Sequence, residues 1–166
     1  MFKILCLIDS LGSGGAQRQM VTLAKLLKEK GFETSFLVYH NDNFFIDDLK
    51  KNNIPIEYCA AKNYVDRILK VRKYIRKNNF DAVISFLNVP NFLNNLSAFG
   101  GKKWKVITSE RSSKENSLIS LRGKIFNFFQ LYSDYIVCNS ENARKLWLKH
   151  YPQYKNKLVT IYNPVV

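Results

Sequence analysis

Apolar runs and helically spaced apolar faces alternate along this chain. Residues 2–8, FKILCLI, are apolar apart from Lys3, the pattern of a strand covered on both faces. Over 16–30 the apolar positions change to helical spacing. Met20, Leu23, Ala24 and Leu27 share one face there, and Gly31 follows as a stop. The same reading predicts strands at 32–39, 54–59, 82–86, 104–108, 135–138 and 158–161. It predicts helices at 44–52, 64–78, 91–99 and 118–132, and one that Ser140 caps and that runs to about His150. In the 64–78 helix Val65, Ile68, Val71 and Ile75 fall at helical spacing. In the 118–132 helix the inward set is Leu118, Leu121, Ile125, Phe128 and Phe129. Strands alternating with helices imply an α/β fold, a doubly wound parallel sheet with helices on both faces. Such folds bind ligands beyond the carboxyl ends of their strands. That directs attention to the loops at 9–16, 40–43, 86–90 and 109–116.

Length and composition narrow the class. The chain has 166 residues, 46% of them hydrophobic, enough for one domain with a real core. Its formal net charge is +13, which calls for an anionic partner: nucleic acid, an anionic membrane surface or phosphorylated ligands. The three cysteines stand far apart without C-x-x-C spacing, which argues against a disulfide framework or a zinc site. Cys6 and Cys138 lie in apolar runs as small core residues, and a reducing, cytoplasmic setting is expected. The first apolar stretch is too short, and too poor in positive charge, for a secretory signal, and no run approaches a membrane-spanning length. No metal is expected, because His40 and His150 are far apart with no third ligand between them.

The loop after the first strand carries the chemistry. Residues 9–19 read DSLGSGGAQRQ and lead straight into a helix. Free backbone amides and the positive end of the helix dipole meet at such a place and suit an anion. A dinucleotide fingerprint starting at Gly12 requires glycine where Gln17 stands, and no acidic residue ends the second strand. The Gly-Lys-Ser/Thr of a P-loop is also missing. A nicotinamide cofactor and an ATP-binding P-loop are both disfavoured. A plain tight turn is the simpler alternative, and it is compatible with anion binding.

This loop resembles the first loop of family 4 glycosyltransferases, in which a strand is followed by Gly-Gly-(Ala/Thr)-(Glu/Gln). Three later stretches resemble the family in the same order. KVITSERS, 105–112, is similar to a polysaccharide-assembling subgroup with Ser-Glu-Arg. DYIVCNSENAR, 134–144, is similar to the segment of aspartate, strand, Ser and helix. KLVTIYNPV, 157–165, is similar to the final strand that leads to a linker. The resemblance implies the N-terminal, Rossmann-like half of a GT-B glycosyltransferase. Residues 1–161 are then the acceptor-side domain and 162–166 the start of an interdomain linker. The C-terminal nucleotide-sugar domain, with its Glu-x7-Glu pair, is absent, and this half alone is not expected to transfer sugar.

The resemblance also implies roles for single residues. Gly14, Gly15 and Gln17 match the loop against the donor diphosphate. Glu110 stands where many members have a histidine that contacts the transferred sugar. Arg111 is expected to pair with Glu110 or with a phosphate. Here Ser112-Ser113-Lys114 replaces the subgroup's usual continuation. Asp9 either orients an acceptor hydroxyl or caps the glycine turn, with capping preferred. Asn88 is a candidate acceptor contact. From 62 to 79 there are seven cations against one acid, Asp66, and Lys70, Lys73 and Lys77 share a helical face. That face is either solvated or meets anionic headgroups or a polyprenyl-phosphate-linked acceptor. The stretch 118–132, with Arg122 and Lys124, is a second membrane candidate, although Phe126, Phe128 and Phe129 are expected in the core. The implied reaction is retaining transfer from a nucleotide sugar to a lipid-linked saccharide in bacterial surface-glycan synthesis. It needs no cofactor and no metal, and takes place in the cytoplasm at the inner face of the membrane. The alternative is a non-catalytic Rossmann-like module on an anionic partner. Nucleic acid is the weaker partner, since no RNA-binding aromatic motif or recognition-helix pattern is present.

Overall fold

The computed structural model describes residues 1–111 and 114–164. The strands β1 (Lys3–Leu7), β2 (Glu33–Val38), β3 (Ile56–Tyr58), β4 (Ala82–Phe86), β5 (Lys105–Glu110), β6 (Tyr135–Cys138) and β7 (Leu158–Thr160) form one parallel sheet. Its order is β3-β2-β1-β4-β5-β6-β7. The helices are α1 (Gly15–Glu29), α2 (Ile46–Lys51), α3 (Tyr64–Lys77), α4 (Asn88–Ala98), α5 (Glu115–Ile119), α6 (Leu121–Phe128) and α7 (Glu141–His150). The Rossmann-like doubly wound sheet expected from the alternation is therefore the fold observed.

Strand periodicity divides the core into two faces. Ile4, Cys6, Ile8, Phe36, Val38, Ile84 and Phe86 pack with Met20, Val21 and Ala24 of α1 and Leu49 of α2. Leu5, Leu7, Leu37, Val83 and Val106 pack on the opposite face with Val71 and Ile75 of α3 and Leu93 of α4. The second face continues under α7, where Trp147 and Ala143 meet Ile136, Cys138 and Leu158. All three cysteines are free and buried, and burial pushes the Cys6 and Cys138 thiols up to about 12. They are inert core residues. The direction in which successive strands are added reverses between β1 and β4, which leaves a crevice at their carboxyl ends.

Two predicted elements differ. The helix expected at 91–99 begins at Asn88, directly after Leu87, which takes φ +77°. The helix expected over 118–132 is broken into α5, α6 and a 3₁₀ turn, Phe129–Tyr132. Ser120 is extended, and its Oγ accepts from the Gly123 amide at 3.0 Å, a new N-cap that restarts the helix. A Cβ on Gly123 would lie 2.0 Å from the Ser117 carbonyl oxygen, so only glycine lets α6 pack this closely on α5. Phe126 then stacks on Phe92 of α4 at 4.5 Å. These contacts turn Gly123 and Asn127 inward. Leu121, Ile125 and Phe128, expected inside, are 77%, 50% and 62% exposed.

Candidate functional site

The glycine loop is tied to its neighbours by backbone bonds. The Asp9 carbonyl accepts from the amides of Tyr39 and His40, and Leu11 donates to the Asp42 carbonyl. Asp9 Oδ1 accepts from the Ser10 amide at 2.7 Å and from Gln17 Nε2 at 2.9 Å, while the Gly12 amide donates to Ser10 Oγ. Turn capping is thus Asp9's observed contact. Its Oδ2 takes no hydrogen bond among the described residues.

None of the three loop glycines lies at positive φ. At Gly12 and Gly14 an added Cβ would displace the movable tip of a neighbouring side chain. A Cβ on Gly12 would meet Asp42 Oδ2 at 2.3 Å, and one on Gly14 would meet Gln17 Oε1 at 2.2 Å. A Cβ on Gly15 would meet nothing within 4 Å. Gly15 opens α1, whose N-terminus has no side-chain cap and no acidic residue in its first turn. The orphan amides and the dipole there remain uncompensated.

Beside this loop, at the carboxyl edge, lies a cleft of about 470 Å³ lined by Asp9, His40, Tyr64, Arg67, Leu87, Asn88, Arg111 and Arg122, among others. Each arginine is placed by an aromatic ring. Arg67 lies 4.4 Å over Tyr39, Arg111 3.7 Å over Phe86, and Arg122 5.0 Å over Phe126. No carboxylate among the described residues pairs with any of the three. Arg67 Nε and Arg111 Nε are buried without a hydrogen-bond partner among the described residues. Burial holds the Arg111 guanidinium down, at about 10. Leu87, in the cleft wall, sits in a region that is essentially reserved for glycine, and such strain gathers at ligand sites.

Of the two partners expected for Arg111, Glu110 or a phosphate, Glu110 is not in contact with it among the described residues. Glu110 is 4% exposed, and its Oε1 accepts from Asn91 Nδ2 of α4 at 3.4 Å. It faces a second cavity of about 220 Å³, under α5 and α6, which shares Asn88 and Arg122 with the cleft. Arg111 instead donates from Nη1 to the side chain of Asn163. Burial pushes the Glu110 carboxyl up to about 7, against the lowering effect of the Asn91 hydrogen bond. Lys70 is paired with Asp66 at 2.9 Å and donates to the Ala60 carbonyl, so it is partly engaged on α3. Lys73 and Lys77 are exposed, and none of the three lines the cleft. Among the described residues no three His, Cys, Asp or Glu side chains are grouped as metal ligands would be.

Of the predicted residues, Asp9, Asn88 and Arg111 meet at the cleft. Glu110 stands one cavity away, and Gly14, Gly15 and Gln17 lie in the glycine loop, outside the lining of the cleft. Sequence reasoning missed Arg67, Leu87 and Tyr64 as lining of the cleft, and it placed Arg122 only as a membrane candidate. Arg67 was legible only as one cation among seven.

The profile of the family described as Glycosyltransferase Family 4 matches residues 13–166. A Campylobacter jejuni GalNAc-alpha-(1->4)-GalNAc-alpha-(1->3)-diNAcBac-PP-undecaprenol alpha-1,4-N-acetyl-D-galactosaminyltransferase is 28% identical over 99% of this chain and 46% of its own length. The Staphylococcus aureus capsular polysaccharide biosynthesis glycosyltransferase CapH is 28% identical over 98% of this chain and 47% of its own. Anabaena HepE, solved in complex with UDP-glucose, superposes with a TM-score of 0.81 at 15% identity, over 99% of this chain and 44% of HepE. The chain spans about half the length of the curated relatives it matches. It belongs to glycosyltransferase family 4 and carries that family's Rossmann-like parallel sheet.

Proposed function

We propose that the chain is the acceptor-side half of a retaining glycosyltransferase of bacterial surface-glycan synthesis. It takes a saccharide linked through diphosphate to a polyprenyl lipid, and the sugar comes from a nucleotide-sugar donor. The observation that carries this reading is the cleft at the carboxyl edge, where three ring-stacked guanidiniums lack carboxylate partners among the described residues, and where Asp9 of the lining holds Gln17 in the first turn of α1. Planar guanidinium forks suit phosphate oxygens, so Arg67 and Arg122 hold the acceptor's diphosphate. Asp9, through its free Oδ2, and Asn88 orient the acceptor hydroxyl. The amides of Gly14 and Gly15, with Gln17 held in place by Asp9, face the donor diphosphate and stabilise charge as it leaves. Glu110 hydrogen-bonds sugar hydroxyls from the adjoining cavity, and Arg111 meets a phosphate. The reaction calls on no metal ion. Lys73 and Lys77, with Lys70, keep the protein peripheral on the inner face of the membrane. The Campylobacter relative, whose name specifies a PP-undecaprenol substrate, supports this acceptor class.

Calorimetric titration with an N-acetylhexosamine carried on a short-chain polyprenyl diphosphate tests the reading. Arg67→Ala and Arg122→Ala are each expected to weaken binding about tenfold. The same saccharide without the diphosphate is expected to bind far more weakly. Equal affinity for both compounds contradicts the proposal.

A further inference from the structure

We propose that the outward ridge of α6, made of Leu121, Ile125 and Phe128, is the surface on which this protein seats itself in an anionic lipid bilayer. The three side chains fall at i, i+4 and i+7, one face of the helix, and all three are exposed. Their exposure follows from the fold. Gly123 against the Ser117 carbonyl, and Phe126 stacked on Phe92, fix the phase of α6 and hold this face out. The exposed residues of α6 are Leu121, Arg122, Lys124, Ile125 and Phe128, and no acidic residue occurs from 116 to 133. The apolar surface also continues beyond α6. Phe128 meets Phe129, Phe129 meets Tyr132, and Tyr132 meets the exposed Phe99 at the end of α4, with the exposed Lys103 shortly after it.

An apolar stripe with a cationic margin and no acid matches an interface of acyl chains beneath anionic headgroups. Charge complementarity therefore favours a bilayer over a neutral protein partner. Arg122 belongs both to the margin of this ridge and to the lining of the diphosphate cleft. A lipid-linked substrate thus reaches the cleft without leaving the membrane surface. The inference rests on the membrane-peripheral reading above, and it moves the main contact from the lysines of α3 to α6.

The test is flotation of the purified chain with vesicles of phosphatidylcholine alone and of phosphatidylcholine mixed equally with phosphatidylglycerol. The wild type is expected to float with the mixed vesicles, and less so as salt rises. The triple variant Leu121→Ser, Ile125→Ser, Phe128→Ser is expected to lose at least about tenfold of that binding with its unfolding midpoint kept. In Phe128→Trp, lipids with brominated acyl chains are expected to quench the new indole, because Trp104 and Trp147 are buried. A wild type that floats with neither vesicle overturns this proposal and the peripheral reading together. Equal flotation of wild type and triple variant, or a Phe128→Trp indole left unquenched at full binding, overturns the ridge and leaves the lysine face standing. Self-association that the triple variant abolishes, with flotation unchanged, overturns it in favour of a second copy. The titration with diphosphate-linked saccharide uses no bilayer, so the acceptor reading fails or stands separately.

Discussion

At Gly15 an added methyl group would meet open space, and no contact among the described residues requires glycine there. Gly15→Ala is therefore expected to leave the fold intact and to stabilise the start of α1 by up to about 1 kcal/mol. In the complete enzyme it is expected to lower transfer. A thermal melt and a transfer assay on the same variant separate the two effects, and unchanged transfer removes Gly15 from the donor side. Glu110 offers a second handle. Its carboxyl is pushed up from an ordinary 4.5 to about 7, so between those values the folded state holds a proton that the unfolded chain releases. The stability tied to this group is complete below the unfolded value and is lost as pH rises through about 7. Glu110→Gln is expected to remove that slope and to be more stable than wild type at alkaline pH, by on the order of 2–3 kcal/mol. Urea unfolding across the neutral range measures it, and parallel pH profiles of wild type and variant contradict it. The glycines were legible as residues because their spacing after an apolar run is a local pattern. Arg67 and Arg122 were not, because their roles depend on which way two helices face, and packing decides that.

The elements show where local pattern gives way to packing. Asn91, Asn94 and Asn95 are buried on α4. Asn91 accepts from Ser85 Oγ, Asn94 donates to the Val83 carbonyl, and Asn95 donates to Gln130 Oε1. Gln130 Oε1 also accepts from Thr108 Oγ1 at 2.9 Å and lies 2.6 Å from Ser133 Oγ. The carbonyl end of α4 receives guanidinium hydrogen bonds from Arg72, to Leu96 and Ser97, and from Arg76, to Ser97. Two of the seven cations of 62–79 are thereby structural. Gln130→Leu strands several buried donors and is expected to cost on the order of 2–4 kcal/mol in denaturant unfolding. A loss under about 0.5 kcal/mol contradicts the network's importance. The phase of α6 was illegible for a related reason. Apolar spacing marked Leu121, Ile125 and Phe128 for the core, but a Ser120 cap and a glycine contact reset the helix. Both signals, S-L-R-G and a lone glycine, are weak against a run of large apolar residues.

Across the whole molecule, the strand–helix alternation was enough to predict a parallel sheet, and with it the edge where a ligand sits. β4 and β6 fall where the pattern put them, because short runs bounded by turn residues leave little choice of register. The position of the cleft follows from the order β3-β2-β1-β4-β5-β6-β7, which places the reversal point beside the glycine loop. Its chemistry did not follow from order alone. It required α3 and α6 to bring Arg67 and Arg122 from sequence positions far apart onto one opening. The net charge of +13 is thus partly concentrated at a site and partly spread on the outer face of α3. The most direct measurement is amide chemical-shift mapping of the isotopically labelled chain during titration with the short-chain diphosphate-linked saccharide. The expected result is a set of shifts centred on Asp9, Arg67, Leu87, Asn88 and Arg122. Shifts confined to Lys73, Lys77 and the outer face of α3, with the cleft silent, contradict the assignment of the acceptor site.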